Sequence, residues 1–457
     1  MNRRQFVTHS CRLSVASATL SSSLLQLGLA RQAAAATLSD YRALVCVLLA
    51  GGNDSFNMVV PNDADQYGEY AALRSDLALP QASLLPLNGT AGNGRNYGLH
   101  PGMAGVQQLY NSGDLAIVAN VGTLIDPVDA AAIAAGAKVP LGLYSHSDQI
   151  AQWQTAVPDD RIAEGWGGRL ADRMNSVNLA NGISMNISLG GSNVFQSGEQ
   201  STEYAITAEE DGAIGVNAYD DGTEFGTFKK SIIDGLLAAP QTNLLRQEYG
   251  NRLRNAIDAR AVFVDALQKA PTLTSPFSPS PFSQSLRQIA RVISARTDLG
   301  ACRQTFFVLV GGWDHHDEVL DNQAAMLPAI SQGLTEFHAA LVELGMLDAV
   351  TTFTTSDFGR TLTSNGKGSD HGWGGHHLVM GGAVNGATMF GDYPELSANS
   401  PLDTGRGVFV PTTAVDEYFA DLAIWLGVSD ADLDQVLPNV RRFYTPGSAQ
   451  PPLGLFA

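Results

Sequence analysis

Three apolar runs, far apart along the chain, stop in the same way. Ala43-Leu44-Val45-Cys46-Val47-Leu48-Leu49-Ala50 ends at Gly51-Gly52-Asn53-Asp54. Thr305-Phe306-Phe307-Val308-Leu309-Val310 ends at Gly311-Gly312-Trp313-Asp314. The β-branched run Val350 to Thr355 ends at Ser356-Asp357-Phe358-Gly359-Arg360. Runs apolar on both faces read as central strands of a parallel sheet. Parallel sheets bind ligands outside the carboxyl ends of their strands. Each run therefore delivers one carboxylate, Asp54, Asp314 or Asp357, to that rim. Taken singly, each acid could cap a helix or form a turn. One shared site accounts for all three together.

The rest of the chain fits a layered α/β fold. Leu115 to Val121 is another buried strand, and Leu378-Val379-Met380 a short one. His100-Pro101-Gly102 opens a short helix through Leu109, and residues 62–98 read as loop-rich. Leu327, Ile330, Leu334, Phe337, Leu341 and Leu344 lie on one helix face, with Gly345 as a natural stop. That helix joins the runs ending at Val310 and starting at Val350, so a parallel strand–helix–strand unit is expected. A last helix spans about 413–426. Between about 200 and 298 a helical insertion is expected, with Leu244, Leu245, Tyr249, Leu253, Ile257, Phe263 and Leu267 as its apolar stripe. The expected architecture is one mostly parallel, three-layer α/β/α sandwich over residues 37–457.

The loops beyond the three acids carry further donors: His316, then Asp370-His371-Gly372 and His376-His377 on a Gly/Ser-rich stretch. Clustered carboxylates repel each other unless a cation or basic groups neutralise them. Mixed carboxylate and imidazole donors suit Zn²⁺, Mn²⁺ or Fe²⁺, whereas carboxylates alone lean to Ca²⁺ or Mg²⁺. Such an ion would polarise an ester oxygen and lower the pKa of a water or a hydroxyl. Tyr144-Ser145-His146-Ser147-Asp148 supplies a hydroxyl just before a helical pattern, where the helix dipole favours an oxyanion. Ser147 reads as the plain N-cap and Ser145 as the functional hydroxyl. Arg360 or His146 would steady an anionic group.

The amino terminus reads as an export signal. Arg3-Arg4 followed by Phe6 is a twin-arginine pattern, with Asn2 in front of the pair. A Ser-rich, mildly apolar run from Leu13 to Ala30 leads to Arg31 and Ala33 to Ala36, which offer an A-x-A cleavage site. The serines make lipid burial costly, so no stable membrane anchor is expected after cleavage near Ala36. The twin-arginine machinery carries folded proteins, which places the chain in the periplasm or outside the cell. The net charge of -18 argues against nucleic acid as a partner. Cys11 leaves with the signal, and Cys46 and Cys302 are too few for a disulfide framework or a thiolate zinc site.

The segments Gly51-Gly52-Asn53-Asp54, Ser145-His146, Gly311-Gly312-Trp313-Asp314-His315-His316, Ser356-Asp357-Phe358-Gly359-Arg360 and Asp370-His371-Gly372 resemble the landmarks of an exported bacterial family. It is catalogued as domain of unknown function 1501, and the likeness covers nearly the whole mature chain. That family is similar in organisation to the alkaline phosphatase and sulfatase superfamily. The resemblance implies an alkaline-phosphatase-like α/β/α sandwich with metal ligands at the sheet's carboxyl edge. It implies Asp54 as the metal-binding acid of the first strand and Ser145 near the place of the nucleophile. Asp314 with His316 would be an Asp/His metal pair, Asp357 the acid of the late strand, and His371 or His377 a late ligand. Phe358 departs from the pattern, since phosphatases of this kind have His there and sulfatases Asn. One ligand of a second metal is then missing, or comes from Asp370 and His371. The spacing from Asp314 to His316 is also short, and no Cys/Ser-x-Pro-x-Arg signature begins at Ser145. Two functions compete: a metal-dependent hydrolase of a phosphate or sulfate ester, and a non-catalytic envelope binding or assembly protein with an incomplete metal site. The expected ligand is a small anionic ester or an envelope polymer.

Overall fold

The computed structural model describes residues 40–456 apart from 90, 175, 176, 179–181, 220 and 398. The export-signal reading of residues 1–36, and Cys11 with it, lies outside the described residues.

Five of the sheet's strands run the same way at its centre. They are β1 (Arg42–Leu49), β2 (Leu115–Gly122), β3 (Asn186–Ser188), β5 (Arg303–Val310) and β6 (Val350–Ser356), with β4 (Tyr204–Ala205) at one edge. A two-stranded ribbon follows, β7 (Arg360–Ser364) with β8 (Ser369–His371), and then β9 (Gly375–Met380) returns to the sheet. Short strands β10 (Met389–Phe390) and β11 (Thr413–Ala414) both pair with β2. The order is β10-β2-β9-β6-β1-β5-β3-β4. β9 is antiparallel to both its neighbours, and the other pairings are parallel. This is the mostly parallel sheet the apolar runs imply. The region 62–98, read as loop-rich, also holds a helix, Ala64–Arg74, and contributes to a separate three-stranded antiparallel sheet, Val59–Pro61, Leu85–Pro86 and Tyr97–Leu99.

The alternation along β1 shows why both faces must be covered. Ala43, Val45, Val47 and Leu49 enter one core and Leu44, Cys46 and Leu48 the other, all buried. Each fully buried Val or Leu removes enough apolar surface from water to contribute about 1.5–3 kcal/mol. Helices supply the covering layers. On the first face lie α1 (Ala104–Ser112) and two more, α6 (Pro281–Ser294) and α7 (Val319–Glu343). On the second lie α2 (His146–Thr155), α3 (Trp166–Met174) and α8 (Val415–Leu426). The three-layer α/β/α sandwich is therefore the fold.

Between β4 and β5 the chain also forms α4 (Glu224–Ala238) and α5 (Leu244–Lys269). The predicted stripe on α5 divides. Phe263 and Leu267 join the core, whereas Leu244, Leu245 and Tyr249 are exposed. No helix among the described residues is long and apolar enough to cross a membrane. Cys46 and Cys302 are free thiols, the first buried.

His376 and His377 were placed by their sequence on a loop, and the structure corrects this: both are buried in β9. The His377 ring lies against Trp153, 4.8 Å between centroids, and stacks on Tyr418. His376 stacks on Tyr393 on the other face. Burial pushes the pKa of each down to about 3. An unfolded histidine takes up a proton near pH 6.5, and these do so in the fold only near pH 3. The unfolded chain therefore binds more protons in that window, and stability falls as pH drops from 6.5 toward 3. Each ring accounts for about 1.4 kcal/mol per pH unit. His377→Phe, which keeps an aromatic against Trp153, is expected to flatten urea-measured stability by that slope between pH 6 and 4. An unchanged slope would show that this ring is already charged in the fold.

Candidate metal centre

The register places three turns on one edge. Leu49, at the end of β1, lies opposite Val310 of β5 and Ser356 of β6. The chain then leaves all three strands on the same rim, carrying Asp54, Asp314 and Asp357. Gly51, at φ 122°, crosses the backbone of Trp313 and Asp314 so closely that a Cβ would lie 2.5 Å from the Asp314 nitrogen. Only glycine meets both demands, so the first two turns can touch.

The three acids reach different fates. Asp54 points inward and is fully buried. Arg74 Nη2 donates to its Oδ2 at 2.5 Å, and Ser369 Oγ donates to the same oxygen at 2.6 Å. Arg74 is itself buried and also donates to Asn57 Oδ1 and to the carbonyls of Thr361 and Leu362. Asp54 Oδ2 is thus taken by an ion pair with Arg74 and by Ser369, while its buried Oδ1 has no hydrogen-bond partner among the described residues. Asp357 is buried too; its Oδ1 accepts from the Gly51 amide at 3.0 Å and its Oδ2 from His146 Nδ1 at 2.7 Å. Burial raises its pKa above the ordinary carboxylate value. Asp314 alone of the three is half-exposed. Partial burial works to raise its pKa, and the Arg360 guanidinium in contact with it holds it below the ordinary value.

Three histidines gather on Asp314. His316 Nε2 lies 3.1 Å from its Oδ1, His371 Nε2 3.5 Å from the same oxygen, and His146 Nε2 3.5 Å from Oδ2. Ligand atoms of His146, Asp314 and His371 all fall within 4.8 Å of one another. His316 Nε2 lies beside that group, 2.9 Å from His371 Nε2. The opposite nitrogen of each ring is tethered. His146 Nδ1 faces Asp357, His316 Nδ1 faces Asp370 Oδ1 at 3.2 Å, and His371 Nδ1 faces the Tyr144 carbonyl at 2.7 Å. A carboxylate or a carbonyl oxygen can only accept, so in the neutral rings each Nδ1 carries the hydrogen. All three Nε2 lone pairs then converge. Two of them face each other at hydrogen-bond distance, an arrangement that calls for a proton or a cation between them.

The surroundings hold this geometry. The Phe358 ring packs against His146 and His371, with centroids 4.9 and 4.5 Å away. The residue that breaks the phosphatase pattern is thus an apolar wall for two imidazoles. Asp370 accepts from Asn365 Nδ2 at 2.9 Å and from Arg406 Nη2 at 2.6 Å. Led by the Asn365 contact, these partners bring its pKa to about 2, so it stays an acceptor for His316. Burial lowers the His371 pKa, which favours the neutral ring.

Arg360 is fully buried and donates to the carbonyls of Gly51, Gly52, Trp313 and Ser369 and to Asp314. It positions Asp314 and faces no open space. Ser145, and not Ser147, is the N-cap of α2, with extended backbone and no capping bond from its side chain. Its hydroxyl lies 3.2 Å from Ser147 Oγ. His377 stays in β9 and is absent from the group. Sequence reasoning missed three partners. The Arg74 counter-ion sits on a helix with nothing to mark it, and Arg406 lies in a glycine-flanked loop. The Tyr144 carbonyl is a backbone atom, independent of residue identity.

No curated protein matches the chain. Similar solved structures include the PsFucS1 sulfatase from Pseudoalteromonas sp., at 10% identity and TM-score 0.37, over 93% of this chain and 76% of that one. Ps i-CgsB follows at 10% and 0.36, over 90% and 78%. The C-terminal periplasmic domain of EcEptC from Escherichia coli, in complex with Zn, gives 10% and 0.35, over 91% and 92%. Scores this low add nothing to the chemistry read from the residues. Residues 230–404, which carry Asp314, His316, Asp357, Asp370 and His371, match the family described as protein of unknown function (DUF1501), so the resemblance seen in the motifs holds over that stretch.

Proposed function

We propose that this is an exported metal-dependent hydrolase of a phosphate or sulfate ester. The observation that carries the reading is the grouping of ligand atoms of His146, Asp314 and His371 within 4.8 Å of one another, with His316 Nε2 beside them, at a half-exposed point of the sheet's carboxyl rim. The donor set fits a divalent transition metal. Three nitrogens and one oxygen suit Zn²⁺, Mn²⁺ or Fe²⁺ better than Ca²⁺ or Mg²⁺, which prefer oxygen cages. His146, Asp314, His316 and His371 would hold the ion. Asp357 and Asp370 would stand behind two of the rings, as carboxylates commonly do behind metal-bound histidines. Such an ion supplies Lewis acidity toward an ester oxygen and toward water.

The chain's own residues do the rest. Arg360 fixes Asp314, Phe358 keeps water from the flank of two rings, and Ser145 opens α2 beside His146 with a hydroxyl that caps no amide. Ser145 is the candidate nucleophile. Export by the twin-arginine route, with the metal loaded in the cytoplasm before transport, suits a periplasmic or secreted enzyme acting on a small ester or an envelope polymer.

One observation favours the non-catalytic reading. Arg360, expected to steady an anion, is wholly spent on carbonyls and Asp314. Elemental analysis of the purified chain, with turnover of chromogenic phosphate and sulfate esters, separates the two. Bound metal with turnover that disappears in Asp314→Ala selects the hydrolase. Bound metal with no turnover across the panel selects a binding protein.

A further inference from the structure

Gly405, Arg406 and Gly407 all have positive φ, at 126°, 62° and 71°. Glycine adopts such angles freely, whereas another residue is strained there. The chain thus carries an arginine where a third glycine would be unstrained. Asp403 Oδ1 pins the loop by accepting from the Gly405 and Gly407 amides at 2.7 and 2.9 Å. The Arg406 carbonyl accepts from Thr363. The Arg406 guanidinium gives one N–H to Asp370 and is 56% exposed. A guanidinium has five N–H donors, so most of its capacity is turned to solvent, behind the Asp370 carboxylate that holds His316 Nδ1. Arg360, by contrast, is fully enclosed.

A second strained residue meets this loop. Tyr144 has φ 74°. Its carbonyl holds His371, and its hydroxyl lies near the side chain of Thr404, whose own hydroxyl donates to the Val408 carbonyl. Its ring is exposed, as are Val139 and Leu141 on the same loop. The Tyr144 carbonyl meets His371 directly, and Arg406 reaches His316 through Asp370. One loop offers a cation and the other an apolar, aromatic edge.

We propose that Arg406 and Tyr144 form the substrate-recognition rim of the centre. Arg406 takes an anionic oxygen of the ester, and the Tyr144 edge takes an apolar or aromatic alcohol portion. This rests on the hydrolase reading of the site and names its substrate class: a phosphate or sulfate monoester of an apolar or aromatic alcohol.

The test is calorimetric binding of inorganic phosphate and of phenyl phosphate to the Zn²⁺-loaded mature protein. Arg406→Gln is expected to weaken both ligands by at least about 10-fold, the worth of a charge-assisted contact. Its Zn²⁺ stoichiometry and melting temperature should match wild type, and Arg406→Lys should recover part of the affinity. Tyr144→Ala is expected to weaken phenyl phosphate several-fold more than inorganic phosphate. Wild-type affinity in Arg406→Gln would overturn the proposal, as would loss of Zn²⁺ together with phosphate, which would make Arg406 a positioning residue acting through Asp370. Zn²⁺-loaded wild type blind to phosphate would overturn the rim alone. A wild type that takes up no Zn²⁺, Mn²⁺ or Fe²⁺ would overturn the metal reading and the rim with it.

Discussion

Arg74→Met is expected to destabilise the fold by about 3–5 kcal/mol, the usual cost of leaving a buried charge without its partner. Both side chains of the Arg74–Asp54 pair are fully enclosed. Water cannot replace the lost guanidinium, and Ser369 supplies only one neutral donor to the remaining carboxylate. The carbonyls of Thr361 and Leu362 and the Asn57 oxygen lose donors as well. Adding Asp54→Asn should recover a large part of the loss, because the stranded charge is then gone, and a double-mutant cycle in urea measures the coupling. Metal affinity should follow the folded fraction in all three variants. Arg74→Met that folds normally but loses metal would instead return Asp54 to the ligand set.

The second large effect separates ligands from their anchors. His146→Ala removes a donor, whereas Asp357→Asn removes only what stands behind it. Changes to outer partners of this kind typically cost about 10–100-fold in metal affinity, and loss of the ligand itself is expected to cost more. The Asn substitution cannot be silent. Asp357 Oδ1 serves the Gly51 amide and Oδ2 serves His146 Nδ1, so both positions need an acceptor. An amide offers one acceptor and one donor, and whichever way it turns, one N–H meets another. Asp370→Asn should act more mildly, since Asp370 is partly exposed and Asn365 also lies against it. Competition with a chromophoric chelator ranks the affinities. Asp357→Asn losing as much affinity as His146→Ala would make Asp357 a direct ligand.

The sheet was legible in the sequence because burial on both faces leaves a plain mark. β1, β2, β5 and β6 are continuous apolar or β-branched runs, and each of the first, third and fourth announces its rim with a turn and an acid. β9 was half-hidden because it opens Gly375-His376-His377, which looks like loop until aromatic rings are found stacked on both faces. At the site, residue types and their place on one rim could be read, but not direction. Asp54 and Asp314 occupy equivalent turns and each touches a buried arginine, yet only Asp314 stands half-exposed among three imidazoles. That choice depends on Arg74, which sits twenty residues downstream of Asp54 in sequence on a neighbouring helix. Arg360 shows the same limit, since its neighbours along the chain say nothing of the carbonyls it fills.

In the proposed centre His146, His316 and His371 would turn their Nε2 atoms, with Asp314, on a single divalent ion. Nitrogen-15 NMR of histidine-labelled protein titrated with Zn²⁺ tests it most directly. Saturation at one equivalent, with three Nε2 resonances moving together and their Nδ1–H signals retained, is the predicted result. A protein that binds no Zn²⁺, or binds it with these three rings unmoved, would contradict the account.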